Sequence, residues 1–340
     1  MRSRIALASF AGWLTVVGCA PSARADDVAD FYRGRTLSLL VGFNVGGGAD
    51  AYGRLIARHL GAHLPGNPPV VVKNMQGAGT VLAANHLFNV APKDGSEIGL
   101  FAGNIAVDPV IGGVPAKYDP RAFNWLGAPA SETNICVASP TSPFKTIDDT
   151  FKREMVTGTS GTSTYDFPVV LNNVLGTRLK LVKGYAGSAA MWLAMERGEI
   201  DGFCGVTLDS MRTAGLTEGK GTILLQIALK PNPELANVPF VMDYAKSEED
   251  RQILRLVFGW VDLERPLAAP PGTPAERVAA LRRALDETLA DPALVADAAQ
   301  ASLTIAPMSG EAIARFVEQV YRTPPAVAAR AARLLGRVPQ

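Results

Sequence analysis

Short apolar runs alternate with helical patterns along this chain, and three of the junctions between them are built from glycine and small polar residues. Residues 37–43 form a continuous apolar run that suits a strand buried on both faces. It leads into Asn44-Val45-Gly46-Gly47-Gly48-Ala49-Asp50, after which Tyr52, Leu55, Ile56 and Leu60 recur at helical spacing until Pro65-Gly66-Asn67-Pro68-Pro69 stops the helix. A strand over 70–72, the junction Asn74-Met75-Gln76-Gly77-Ala78-Gly79-Thr80 and a helix over 81–88 repeat the pattern. Further strand signals fall at 98–101, 125–128, 135–138, 179–182 and 223–228, with helical stretches such as 189–197 between them. The third junction is Gly158-Thr159-Ser160-Gly161-Thr162-Ser163-Thr164. This alternation predicts an α/β fold with mostly parallel sheets.

In such sheets ligands sit beyond the carboxyl ends of the strands, where loops run into helix N-termini. Glycines let the backbone approach a ligand, and helix N-termini offer unpaired N–H groups and partial positive charge, so a carboxylate can be held there without Lys or Arg. A tight strand-to-helix turn explains any single loop of this kind. Three at matching places predict a cleft for a small anion. The Gly-x-Gly-x-x-Gly pattern is incomplete and no Gly-Lys-Ser/Thr follows, so a dinucleotide or nucleoside triphosphate is not indicated and no cofactor is expected.

The N-terminus bears on compartment. Residues 1–25 carry Arg2 and Arg4, an apolar run over 5–20 and small residues ending Ala23-Arg24-Ala25, the layout of a secretory signal. The run falls short of the roughly 20 residues that span a bilayer. Val16-Val17-Gly18-Cys19 resembles a lipoprotein cleavage site, so a lipid anchor at Cys19 stands as the alternative to a free exported protein cut after Ala25. That cut takes the chain from 33 basic and 32 acidic side chains to 30 and 32, a formal charge of −2, with no basic field for nucleic acid. About 315 remaining residues exceed one ordinary core, which predicts two domains.

The mature chain has two cysteines, Cys136 and Cys204, which in an oxidising compartment form one disulfide or remain as separate buried thiols. Neither belongs to a Cys-x-x-Cys pair, and His59, His63 and His86 lie at spacings that make no metal site. Ser142-Pro143-Phe144-Lys145 is formally Ser-x-x-Lys, but Pro143 interrupts the helix that would bring serine to lysine, and no other nucleophile–base constellation appears, so an enzyme is not expected. Near the C-terminus, 267–271 reads as extended. Thr273 reads as the cap of a helix with Pro274 at its first position and an apolar stripe of Val278, Leu281, Leu285 and Leu289. Asp291-Pro292 and Ser309 start further helices, and the whole region is expected to pack on the first domain.

The run from Leu39 to Asp50, with Gly46-Gly47-Gly48-Ala49-Asp50 at its end, resembles the opening of the tripartite tricarboxylate transporter receptors, the TctC or Bug family. Val71-Val72-Lys73-Asn74-Met75-Gln76-Gly77-Ala78-Gly79, Ala91-Pro92-Lys93-Asp94-Gly95, Lys183-Gly184-Tyr185-Ala186-Gly187-Ser188, Arg197-Gly198-Glu199-Ile200-Asp201 and Ala269-Pro270-Pro271-Gly272-Thr273-Pro274 follow the family's order over nearly the whole mature chain. The resemblance implies a two-lobed periplasmic binding protein. Its lobes are expected at 26–127 with 230–340, and at 128–229.

It further implies that a di- or tricarboxylate, or a related organic acid, meets backbone N–H groups of Gly47, Gly48, Ala49 and Asp50 beside Gly77, Ala78 and Gly79, with Thr80 closing that loop. Ser160, Gly161, Thr162 and Ser163 would close from the second lobe. Phe43, Asn44 and Tyr52 flank the first loop, Tyr185 lies in the tyrosine–glycine loop, and Asn104 follows the third strand; each is a candidate contact, with core packing the alternative for Tyr52 and Tyr185 and a helix start the alternative for Asn104. Asp50 at a helix start reads first as stabilising that helix, ahead of a ligand contact. Glu132, near the crossover, is expected in solvent. The usual proline-bearing approach to the glycines is Asn44-Val45 here, and the usual threonine before the aspartate is Ala49, which removes one hydroxyl contact. The implied partners are membrane transporter subunits, or a membrane sensor kinase, served by a monomeric receptor.

Overall fold

The computed structural model describes residues 23–46, 48–213 and 221–337, so the signal segment before residue 23, Cys19 and Gly47 lie outside the described residues. Two separate sheets organise the chain. The first has the order β11-β4-β10-β3-β1-β2, with β1 Leu37–Val41, β2 Val70–Asn74, β3 Glu97–Leu100, β4 Asn124–Ala128, β10 Leu267–Ala269 and β11 Met308–Ser309. The second has the order β7-β6-β8-β5-β9, with β5 Asn134–Ala138, β6 Met155–Gly158, β7 Leu179–Val182, β8 Gly202–Thr207 and β9 Thr222–Ile227. Both sheets are mixed. β1 is parallel to β2 and β3, and β6 to β7 and β8, as βαβ units require. Antiparallel pairing enters with β10 in the first sheet and with β5 and β9 in the second, strands that flank the crossings between sheets, and with the short β11 on β4.

The continuous apolar runs became strands covered on both faces. Leu39 and Val41 face one hydrophobic cluster of the first sheet and Leu40 the other. Cys136 and Ala138 of β5 face one cluster of the second sheet, Ile135 and Val137 the opposite one. Strands β6 and β8 carry weaker sequence signals because glycine interrupts them. Gly202 is required there, since a Cβ would stand 2.0 Å from the Val137 carbonyl oxygen. Cys136 and Cys204 pair in register across β5 and β8 and are joined as a disulfide.

The C-terminal third divides between the sheets. Helix Ala275–Ala290 buries Val278, Leu281, Leu285 and Leu289 in a first-sheet cluster. Helices Glu248–Phe258 and Pro325–Leu334 instead place Ile253, Leu254, Val257, Val327 and Ala331 in the cluster of the second sheet, so residues 230–340 do not pack as one body on the first. The cap also differs by one residue. Pro274 is the N-cap, and the Thr273 hydroxyl donates to the Pro270 carbonyl at 2.9 Å, bracing the turn before the helix.

The chain crosses between sheets at 129–133 and again at 228–266, and an antiparallel bridge between Ala130 and Glu264 ties the crossings together. Glu132, expected in solvent, is buried there: Arg265 Nη1 donates to its Oε1 at 3.0 Å and lies 3.4 Å from Glu264. Burial pushes the Glu264 carboxyl up, Arg265 pulls it down and Glu132 adds to the rise.

Candidate functional site

A cleft of about 590 Å3 opens between the sheets at the ends of β1, β2, β3 and β6. From the first sheet come Gly42, Phe43 and Asn44 after β1, Gln76 through Thr80 after β2, and Ala102 and Asn104 after β3. Thr162 and Ser163 face them from the second sheet, and Trp260 enters from the second crossing. Among the described residues no Asp, Glu, Lys or Arg side chain lines this space. Its polar atoms belong to amides, hydroxyls and backbone.

The wall after β2 has unusual backbone. Gly77, Ala78, Gly79 and Thr80 have φ of 146°, 47°, 61° and 74° in succession. For Ala78 and Thr80 the left-handed region costs roughly 1–2 kcal/mol each, and such strain gathers at functional sites. Concave runs of backbone N–H groups are a recurrent anion-binding form. Two features support the turn. Thr80 Oγ1 accepts from the Ala102 N–H at 3.2 Å, and Gly42 leaves room for the buried threonine, since a Cβ on Gly42 would lie 2.8 Å from Thr80 Cβ.

The opposite wall relaxes into a helix, Thr162–Val170. Thr164 Oγ1 accepts from the N–H groups of Ser160 at 2.8 Å and Gly161 at 2.9 Å. Those two donors are therefore spent within the loop. Thr162 and Ser163, in the first turn, line the cleft with the helix dipole behind them.

Several expected contacts lie elsewhere. Asp50 is 2% exposed and turned inward, accepting from Gly46 N, Arg54 Nε and Asn74 Nδ2, each at 2.8 Å. Burial pushes its carboxyl up, but hydrogen bonds from Arg54, Gly46 and Asn74 prevail and hold it at about 2. Asp50 thus fastens the first loop. Tyr52 is buried with its hydroxyl donating to Thr304 O at 2.7 Å and Arg265 over its ring at 4.3 Å, so helical phase carries it into the core. Tyr185 packs with a second-sheet cluster beneath Gly158. Gly48 and Ala49 open helix Gly48–His63 outside the cleft lining. Ser142 Oγ accepts from Phe144 N while Lys145 Nζ donates to Pro140 O, so this serine and lysine do not meet. Gly42, Gln76, Ala102 and Trp260 line the cleft without having been singled out. Gln76 stood within a recognised junction, whereas Trp260 had no local signal and arrives only through tertiary folding.

A buried ionic chain runs behind the cleft floor. Asn104 Nδ2 donates to Asp108 Oδ2 at 2.6 Å, Arg337 Nη1 lies 3.3 Å from Asp108 Oδ1, and Arg337 Nη2 donates to Asp166 Oδ2. Asp166 sits on the helix that carries Thr162 and Ser163, so Arg337 joins the supports of both walls. Burial pushes the Asp166 carboxyl up to about 6, with Arg337 opposing and Asp108 adding to the rise. Burial likewise raises Asp108 against the pull of Arg337 and Asn104.

Solved structures share this architecture. A TctC solute-binding protein from Polaromonas superposes with a TM-score of 0.69 at 19% identity, covering 90% of this chain and 100% of that one. MatC from Rhodopseudomonas palustris, solved with bound malate, gives 0.62 at 20% identity over 88% of this chain and 99% of its own. R. palustris Rpa4515, solved with adipate, gives 0.64 at 21% over 90% and 99%. No curated protein matches the chain by sequence. The family model of the tripartite tricarboxylate transporter family receptor, TctC, matches residues 54–331, and the chain belongs to that family of solute-binding receptors.

Proposed function

We propose that the chain is a periplasmic receptor that captures a small organic carboxylate in the cleft by closure of its two lobes and delivers it to a tripartite tricarboxylate-type membrane transporter. The observation that carries this reading is the lining: glycine-rich loop backbone, amides and hydroxyls from both sheets surround a space that no charged side chain lines among the described residues. A carboxylate suits such a site because fixed dipoles in a water-poor cleft solvate it. The malate and adipate bound to MatC and Rpa4515 support the ligand class. The lobes of this reading are the two sheets with their helices, the second lobe taking 248–258 and 325–334 as well. The two bridged crossings serve as the hinge. Export uses residues 1–25, and no helix among the described residues is long and apolar enough to cross a membrane.

A thermal-shift panel of dicarboxylates, tricarboxylates, aromatic acids and acidic amino acids tests the ligand class, since saturation at a hundred times Kd adds about 2.7 kcal/mol. A panel without a shift overturns the carboxylate reading. Small-angle scattering with the best panel member tests closure, which an unchanged radius of gyration would sink. Intact mass of the exported protein should begin at Asp26, and a lipid-modified Cys19 would replace that assignment.

A further inference from the structure

Asn104 stands at the cleft floor after β3 and is 6% exposed. Its amide nitrogen is committed twice, to Asp108 Oδ2 at 2.6 Å and to Gly79 O at 3.4 Å. A carboxamide nitrogen carries two hydrogens, so Asn104 has no donor left for a ligand. The orientation is enforced from behind. Asp108, its side chain 3% exposed, is held by Arg337, which also holds Asp166. Turned over, the amide would set its own oxygen against an Asp108 oxygen and lose Gly79 as acceptor. The remaining polar atom is Oδ1, which has no donor among the described residues.

We propose that Asn104 is a specificity-determining residue that accepts a hydrogen bond from a donor on the carbon chain beside the bound carboxylate, a hydroxyl or an ammonium. The inference rests on the carboxylate reading of the cleft and narrows it. An unsubstituted dicarboxylate is ionised at neutral pH and brings no donor, so it leaves Oδ1 unpaired in a closed cleft. Asp108 and Arg337 act as positioning residues, because they decide which end of the amide faces the ligand.

Calorimetry on the exported chain tests this with matched acids: succinate, malate and aspartate on four carbons, then glutarate, 2-hydroxyglutarate and glutamate on five, and adipate with its 2-hydroxy and 2-amino forms on six. At the chain length that binds, a substituted member should bind about ten-fold tighter than its parent. The hydroxy and amino arms tell the two donors apart. Asn104→Leu should bring the ratio of substituted to parent affinity to about one. Asp108→Asn, which frees the amide to turn, should lower that ratio in a folded protein, whereas simple structural damage would weaken both members alike. Equal affinities in the wild type, or a ratio that survives in both variants, would overturn the proposal and leave the carboxylate reading standing. If no member of any series binds, this inference falls, and the carboxylate reading falls with it only when the wider thermal-shift panel is silent as well.

Discussion

The two walls of the cleft start from similar short sequences, Gly77-Ala78-Gly79-Thr80 and Ser160-Gly161-Thr162-Ser163, and reach different solutions. The first runs left-handed through four residues and its short helical turn has no side-chain cap. The second stays extended at Gly161, φ −170°, and enters a helix with Thr164 taking two N–H groups. The first wall accepts strain and has no side chain capping its N–H groups. The second is relaxed and offers mainly the start of a helix. This contrast suits an order of events in which solute docks on a preorganised first wall and the second arrives afterwards.

The contrast can be broken at six residues. The largest effect is expected at Arg337, which joins the supports of both walls. Arg337→Ala leaves Asp108 and Asp166 buried together without a counter-charge and should cost about 3 kcal/mol in urea unfolding. The same pair has a pH signature. A carboxyl raised in the folded state stabilises below its unfolded pKa, near 4, and loses that contribution as pH rises through about 6. Stability of the wild type should therefore fall across that window from this group, and Asp166→Asn should remove the slope. Next, Gly42→Ala drives a Cβ into Thr80 and should cost about 1–3 kcal/mol while weakening ligand binding. Gly161→Ala meets no atom within 4 Å and should cost at most about 1 kcal/mol. Equal losses at the two glycines would erase the difference between the walls. Thr164→Val removes the acceptor for two N–H groups and should cost about 1 kcal/mol. Smallest, Ala78→Gly should stabilise by about 0.5 kcal/mol, because relief of the left-handed strain slightly exceeds the added unfolded-state entropy.

Local signals located most strands and all three junctions. Leu37–Val41 and Asn134–Ala138 are largely apolar runs covered on both faces, so composition alone marked them, while the edge strand Leu179–Val182 was marked despite its exposed Lys180. β6 and β8 escaped because Gly158, Gly202 and Gly205 are there to admit neighbouring atoms, a requirement visible only in three dimensions. Site reading followed the same division. Thr162 and Ser163 were legible from position, since a junction before a helix exposes first-turn N–H groups. Asp50 and Tyr52, for which a structural role stood beside a ligand contact, take the structural one through partners that include the distant Asn74, Thr304 and Arg265. Arg337 and Glu132 belong to the same class: a charge reads as solvated until the fold brings it a partner.

A cleft lined by neutral groups has a consequence for unloading. A receptor that held its anion with arginine would be left, on release, with a naked cation in a narrow crevice, and a stray chloride or phosphate would compete to fill it. Here the departing solute leaves only dipoles, which water satisfies at once. Under the proposed delivery to a membrane transporter, discharge would then need no replacement ion, and capture should change little between dilute and salty surroundings.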